Sequence, residues 1–269
     1  MKNRIITLAA IFLSSHASMA DTDLKDEGRA VYSQRTTAHS FTNADGKSLN
    51  YRIFLPEGYS KEKKYPLVLA LHGAGSRGTK NVKHMRPWVA GWSSPIVQKD
   101  NPCIILMPQC PPNKQWVNTP WRNGSYSMDK VAISEPMSLA KELFDKVVKE
   151  HSVDESRIYL IGCSMGGYGC WNFIMRWPEL VAAAVPVCGG GDPSQAEKLV
   201  SLPIWTFHGD KDTVVPMKAT TDMVDAIKKA GGEQVKLTVY PGVSHNSYAF
   251  AWKDPELIKW VFSQRKNPK

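Results

Sequence analysis

The chain has 269 residues, with 42% hydrophobic and 22% charged residues, a composition that fits a globular protein with a buried core and excludes collagen-like or wholly disordered classes. The net charge of +9 is spread over scattered lysines such as Lys61, Lys64, Lys80 and Lys83, with no nucleic-acid-binding motif beside them, so a solvated basic surface is expected and no nucleic-acid partner. Five cysteines with no C-x-x-C spacing argue against a zinc or redox site, and their apolar neighbourhoods point to buried free thiols.

Residues 1–20 carry Lys2 and Arg4, an apolar run Ile5–Leu13, and small residues ending in Ala20. This pattern predicts a cleaved signal peptide and a secreted or periplasmic protein, with residues 21–269 as a single catalytic domain. The apolar run is too short to span a bilayer, and no later run is longer, so no membrane insertion is expected. Residues 21–30 are polar and are expected to be frayed. The segments 32–42 and 49–56 alternate apolar and polar residues and predict two antiparallel strands, joined near the turn N-A-D-G-K.

From residue 63 the pattern changes. Six continuous apolar runs, in segments 63–75, 103–110, 156–162, 182–191, 203–210 and 235–242, each read as a buried parallel strand. Helical patterns alternate with the later runs, over 135–151, 165–177, 217–231 and 254–265, with Ser134 placed to cap the first and Pro136 in its first turn. The expected fold is therefore α/β: a mainly parallel central sheet with antiparallel N-terminal strands and helices on both faces.

Sheets of this class place their sites beyond the C-terminal ends of the strands. Gly162-Cys163-Ser164-Met165-Gly166 stands at one such end, and G-x-S-x-G there is a strained strand-to-helix turn that projects a serine hydroxyl. A serine needs a neighbouring base. In the order Ser…Asp…His, the base is His245, because every other histidine precedes Asp212. Asp210 and Asp212 compete to orient that imidazole; Asp212, farther from its strand end, is better placed to reach across, while Asp210 suits a turn. Asp192 reads as a cap on the helix that follows it. The oxyanion of an acyl-transfer intermediate needs backbone N–H donors, for which Met165 and Ala74 are the candidates. His72 and His208, which follow their strands directly, are expected to be structural.

The segment 112–126 follows another strand end and is rich in aromatic residues. Trp116, Trp121 and Tyr126, with Gln109 at the strand end, are the candidate substrate-binding residues. Trp88 and Trp92 mark a second insertion, over 79–99. Neither insertion is long enough for a lid domain, which favours a substrate attached to a polymer over a free lipid.

The stretches L-V-L-A-L-H-G-A-G, P-Q-C-P, I-Y-L-I-G-C-S-M-G-G-Y-G-C-W, C-G-G-G-D-P, H-G-D-K-D-T-V-V-P and Y-P-G-V-S-H-N-S-Y, from about residue 50 onward, resemble secreted bacterial α/β-hydrolases of the predicted peptidase or phospholipase/carboxylesterase type. Those proteins are similar to feruloyl and acetyl-xylan esterases, and more distantly to polyhydroxyalkanoate depolymerases. The resemblance implies an α/β-hydrolase fold, a nucleophile at Ser164, an acid at Asp212, a base at His245 and an oxyanion loop at Gly73-Ala74. Cys163 departs from the larger apolar residue often found there. The implied activity is hydrolysis of carboxylic esters, without metal or organic cofactor, on acyl or feruloyl esters of polysaccharides or on related small esters. The competing readings are a serine peptidase, a polyester depolymerase, or a non-catalytic carbohydrate-binding protein on the same scaffold. Serine triads cleave amides and esters alike, so activity on ester and peptide substrates separates the first two, and loss of a triad residue would mark the last.

Overall fold

The computed structural model describes residues 28–266; the expected signal peptide lies outside the described residues. In chain order the elements are α1 (Gly28–Arg35), β1 (Thr37–Thr42), β2 (Ser48–Phe54), β3 (Tyr65–Leu71), α2 (Pro87–Ala90), α3 (Pro95–Asp100), β4 (Ile104–Gln109), α4 (Glu135–Glu150), β5 (Val153–Cys163), α5 (Met165–Arg176), β6 (Ala183–Val187), β7 (Ile204–Gly209), α6 (Lys218–Lys229), β8 (Val235–Tyr240), α7 (Ser247–Trp252) and α8 (Pro255–Ser263). The strands form one eight-stranded sheet in the order β1-β2-β4-β3-β5-β6-β7-β8. The pairs β1–β2 and β2–β4 are antiparallel and all later pairs are parallel. The α/β architecture expected from the sequence, with antiparallel strands at its N-terminal edge, is the one observed.

The alternation of side chains along each strand divides the core into two layers. Leu67, Leu69 and Leu71 of β3 point to the layer that holds α4, α5 and α6, through residues such as Phe144, Phe173 and Met223. Val68 and Ala70 point the other way, to Tyr32 of α1, Trp88 and Trp92 around α2, and Trp252 of α7. With both faces covered, every residue of β3 is buried, which is why its sequence is apolar without alternation. The edge strands relax: β8 is fully buried only at Val235, and β1, at the opposite edge, is exposed along most of its length. Ser134 caps α4 by accepting a hydrogen bond from the Met137 N–H, and Pro136 occupies its first turn.

Two expectations about the N-terminal region are corrected. Residues 28–35 are helical, so residues 32–35 do not extend β1 and residues 28–30 are not frayed. The cause is distant in sequence: the buried guanidinium of Arg52 donates from Nη2 to the Ser33 and Thr36 carbonyls, at 2.6 and 2.7 Å, and satisfies groups that a helix end leaves unpaired. Tyr32 then packs into the second layer. Trp88 and Trp92 are likewise core residues of that layer, not part of an open insertion.

Candidate active site

β5 ends at Cys163, and Ser164 adopts φ 57° and ψ −120° before α5 begins. That conformation is rare for a residue with a side chain and stores strain. The turn is held by the Ser164 N–H on the Val187 carbonyl at 2.9 Å and by the Tyr168 N–H on the Ser164 carbonyl at 3.0 Å. The two glycines are required by close approach. A Cβ on Gly162 would lie 2.2 Å from the Gly166 carbonyl oxygen, and one on Gly166 would lie 2.1 Å from the Leu71 oxygen. The spacing G-x-S-x-G is thus the imprint of a helix packed directly against its own strand and the adjacent one.

The turns after β7 and β8 are fastened together. Asp210 Oδ1 accepts the Gly242 N–H at 2.7 Å, and the Lys211 N–H donates to the Val243 carbonyl at 3.0 Å. Asp210 therefore serves the turn. Across this junction His245 reaches both partners: Nε2 is 2.7 Å from Ser164 Oγ, and Nδ1 is 2.7 Å from Asp212 Oδ2. The carboxylate can only accept, so Nδ1 carries the proton and Nε2 is left to accept from the serine hydroxyl. The Asp212 side chain is fully buried. Burial alone would raise its pKa, but donors on every side reverse the sign and hold it far below the usual carboxylate range. Those donors are His208 Nε2 at 3.2 Å, His245, and the Val215 and Val214 N–H groups on Oδ1 at 2.9 and 2.8 Å.

Met165 is the first residue of α5, and Ala74 opens a short 3₁₀ turn, so neither N–H is used within its own element. The loop carrying Ala74 abuts the nucleophile: a Cβ on Gly73 would lie 3.5 Å from Ser164 Cβ. Arg77 holds the loop by donating from Nε to the Ala74 carbonyl at 3.0 Å. His72 braces it from within. Its Nδ1 bonds the Gly73 carbonyl at 2.7 Å and its Nε2 accepts the Cys110 N–H at 2.9 Å. Burial pushes the pKa of this imidazole down to about 4.

Of the four expected substrate-binding residues, three are internal anchors. Trp116 is fully buried and donates its indole N–H to the His72 carbonyl at 3.0 Å. Gln109 is buried and clamps the loop after β3 at two points, donating to the Ser76 carbonyl at 3.1 Å and accepting the Asn81 N–H at 2.8 Å. The Tyr126 hydroxyl is buried against Asn172 Nδ2 at 2.8 Å. Each satisfies a polar group that the long loops would otherwise bury unpaired. Trp121 differs. It is partly exposed and lines an open cleft of about 580 Å³ with Arg77, Asn113, Gln115, Asn118 and Thr119. Arg77 links that cleft to the Ala74 loop.

Two features of the site leave no local mark in the sequence. Tyr168 pins the Trp121 loop, donating to the Gly124 carbonyl at 2.8 Å. His208 Nε2, hydrogen-bonded to the Val215 carbonyl at 3.0 Å, also lies 3.2 Å from the Asp212 carboxylate, so it does not serve only its own loop. All five cysteines are unpaired and buried, and burial pushes the Cys103, Cys110 and Cys163 thiols up to about 12. Among the described residues, one trio has donor atoms close enough to share a metal ion, Cys188, Asp212 and His245. The latter two are already bonded to each other.

The model of the dienelactone hydrolase family matches residues 125–266. A crystal structure of a thermostable esterase is similar with a TM-score of 0.80 and 36% identity, over 88% of this chain and 64% of that one. The bifunctional acetylxylan esterase/xylanase of Neocallimastix patriciarum is 28% identical over 120 residues, 39% of this chain. This chain spans only 18% of that relative's length. Feruloyl esterase D of Neurospora crassa is 21% identical over 206 residues, 75% of this chain and 66% of its own length.

Proposed function

The chain belongs to the dienelactone hydrolase family, and from that premise we propose that it is a serine hydrolase of carboxylic esters. The observation that carries the proposal is the continuous line of hydrogen bonds from Ser164 Oγ through His245 to Asp212, 2.7 Å at each step, on a strained strand-to-helix turn.

In the proposed mechanism Ser164 Oγ attacks the ester carbonyl as its proton passes to His245 Nε2. The N–H groups of Met165 and Ala74 stabilise the oxyanion. The tetrahedral intermediate collapses, the alcohol leaves with the proton from His245, and an acyl-enzyme on Ser164 remains. Water, deprotonated by the same imidazole, then attacks the acyl carbonyl; the Ser164 Oγ–acyl bond breaks as the imidazolium returns its proton to Oγ, and the acid is released. Asp212 stays ionised throughout, fixing the tautomer and stabilising the imidazolium.

For the substrate, we infer an acyl or feruloyl ester attached to a polysaccharide. Two observations support this: the cleft beside the Ala74 loop combines an aromatic face with amide and hydroxyl side chains, and relatives of the chain are named feruloyl and acetylxylan esterases. The leader-like pattern of residues 1–20 supports export.

The test is hydrolysis of p-nitrophenyl acetate and butyrate, methyl ferulate, acetylated xylan and peptide anilides by the native protein and by Ser164→Ala. Ester turnover that vanishes in Ser164→Ala, with a fluorophosphonate adduct located on Ser164, is the expected result. Turnover surviving in a folded Ser164→Ala protein would overturn the assignment, and faster cleavage of the anilides than of any ester would replace esterase by peptidase.

A further inference from the structure

The Asp212 carboxylate has an unusual need for support. It sits on a loop whose neighbouring residues Lys211, Thr213 and Val214 are all exposed. Yet it must hold an imidazole in register with a serine carried by a different strand. Four donors reach it, and they are not equivalent. The Val214 and Val215 N–H groups belong to the same loop and move with it. His245 is the group to be positioned, so it cannot serve as its own reference. His208 is the remaining donor, and it is the one rooted in the sheet, as the penultimate residue of β7 with its side chain fully buried.

The ring of His208 is itself fixed on both sides. Nδ1 is 2.7 Å from the hydroxyl of Thr220 on α6, and that hydroxyl reaches on to the Gly189 carbonyl at 2.7 Å, at the end of β6. Nε2 faces two atoms that can only accept, the Val215 carbonyl at 3.0 Å and Asp212 Oδ2 at 3.2 Å. The Nε2 proton is therefore directed at the loop: it is hydrogen-bonded to the Val215 carbonyl and has the Asp212 carboxylate as its second, slightly longer neighbour.

We infer that His208 is a positioning residue, the link that ties the Asp212 loop to β7 and α6 and so aligns His245 with Ser164. This rests on the reading of Ser164, His245 and Asp212 as the catalytic set. A small misplacement of such a set lowers the rate steeply, by up to about a hundredfold per ångström. His208 acts through Asp212 and touches no reacting atom, so its loss lowers kcat and leaves substrate binding alone.

Two replacements separate the two ends of the ring. In His208→Gln the amide reaches the Nε2 position and can still donate to Asp212. In His208→Asn the shorter amide reaches only the Nδ1 position, toward Thr220. With p-nitrophenyl butyrate, His208→Asn is expected to lose roughly ten- to a hundredfold in kcat, with KM within about threefold of the native value. His208→Gln is expected to recover most of that loss. Melting temperatures are recorded for both. Retention of native kcat by His208→Asn overturns the inference. So does an equal loss in both variants that tracks their melting temperatures, because the histidine would then be only a packing residue. Should His208→Asn fail to fold, the isosteric Thr220→Val decides: it frees one side of the ring, and a kcat unchanged from native overturns the inference. Ser164→Ala, measured in parallel, distinguishes the two levels. If it is inactive while His208→Asn is not, only the positioning role fails; if it is active, the catalytic assignment itself fails.

Discussion

Replacing Asp212 by asparagine tests the proposed mechanism at its most constrained atom pair. The carboxylate oxygens have different partners: Oδ1 accepts two backbone N–H groups, of Val214 and Val215, and Oδ2 faces His245 Nδ1 and His208 Nε2. An asparagine has one acceptor and one donor to place there. Turning its NH₂ toward Val214 and Val215 would bury donors against donors, at a cost of about 1–3 kcal/mol for each group left unpaired. The amide oxygen therefore stays at the Oδ1 position, and the NH₂ faces His245, while His208 Nε2 keeps the Val215 carbonyl as its acceptor. His245 Nδ1 must then accept, which moves its proton to Nε2 and aims it at Ser164. A protonated Nε2 cannot take the serine proton.

The expected loss is about four orders of magnitude in kcat, equivalent to about 5 kcal/mol of transition-state stabilisation. Asp210→Asn is the control. Its only requirement is an oxygen for the Gly242 N–H, which asparagine also supplies, so its kcat should stay within about threefold of native. The assay is kcat/KM on p-nitrophenyl acetate together with the rate of fluorophosphonate labelling, both measured well below the melting temperature. A folded Asp212→Asn protein within tenfold of native, or an equal loss in Asp210→Asn, would refute the tautomer argument.

Three further outcomes are expected. Ser164→Gly should melt about 2–4 °C above Ser164→Ala, because glycine relieves the positive φ that alanine retains, worth about 1 kcal/mol net of glycine's chain entropy; calorimetry on the two inactive proteins checks this. His72 has its pKa lowered by burial to about 4, so the unfolded chain binds the extra proton first. Its contribution to stability, up to about 3 kcal/mol, should be present at pH 7 and lost as the pH falls from about 6.5 toward 4; a flatter pH dependence of the urea midpoint in His72→Gln is the test. Trp121→Ala should raise KM for methyl ferulate at least fivefold with kcat nearly unchanged, and leave p-nitrophenyl acetate unaffected; equal losses on both esters with a lower melting temperature would make Trp121 one more loop anchor.

What the sequence made legible follows from the range of the interactions involved. The parallel strands were readable because burial on both faces leaves a local mark, an unbroken apolar run such as Tyr65–Leu71. The turn around Ser164 was readable because Gly162 and Gly166 are forced by contacts within a few residues or one strand away. By contrast, α1 was unreadable as a helix, because its C-terminal carbonyls are satisfied by Arg52 from another strand. The same limit explains the aromatic loop. Trp116 and Trp121 stand five positions apart in one polar segment and look alike in sequence. Whether a tryptophan faces a cleft or the core depends on which carbonyl waits beneath it. For Trp116 that carbonyl is the one of His72, 44 residues earlier. His208 presents the converse. Its position at a strand end was visible, but its chemistry was not, since a histidine that bonds only its own loop and one that holds a carboxylate have the same local pattern. The distinction lies in Asp212 folding back four residues later, so that Oδ2 lies 3.2 Å from Nε2. A short-range turn thus determines whether a buried imidazole is structural filling or part of the frame around the reacting groups, and only coordinates display which turn is taken.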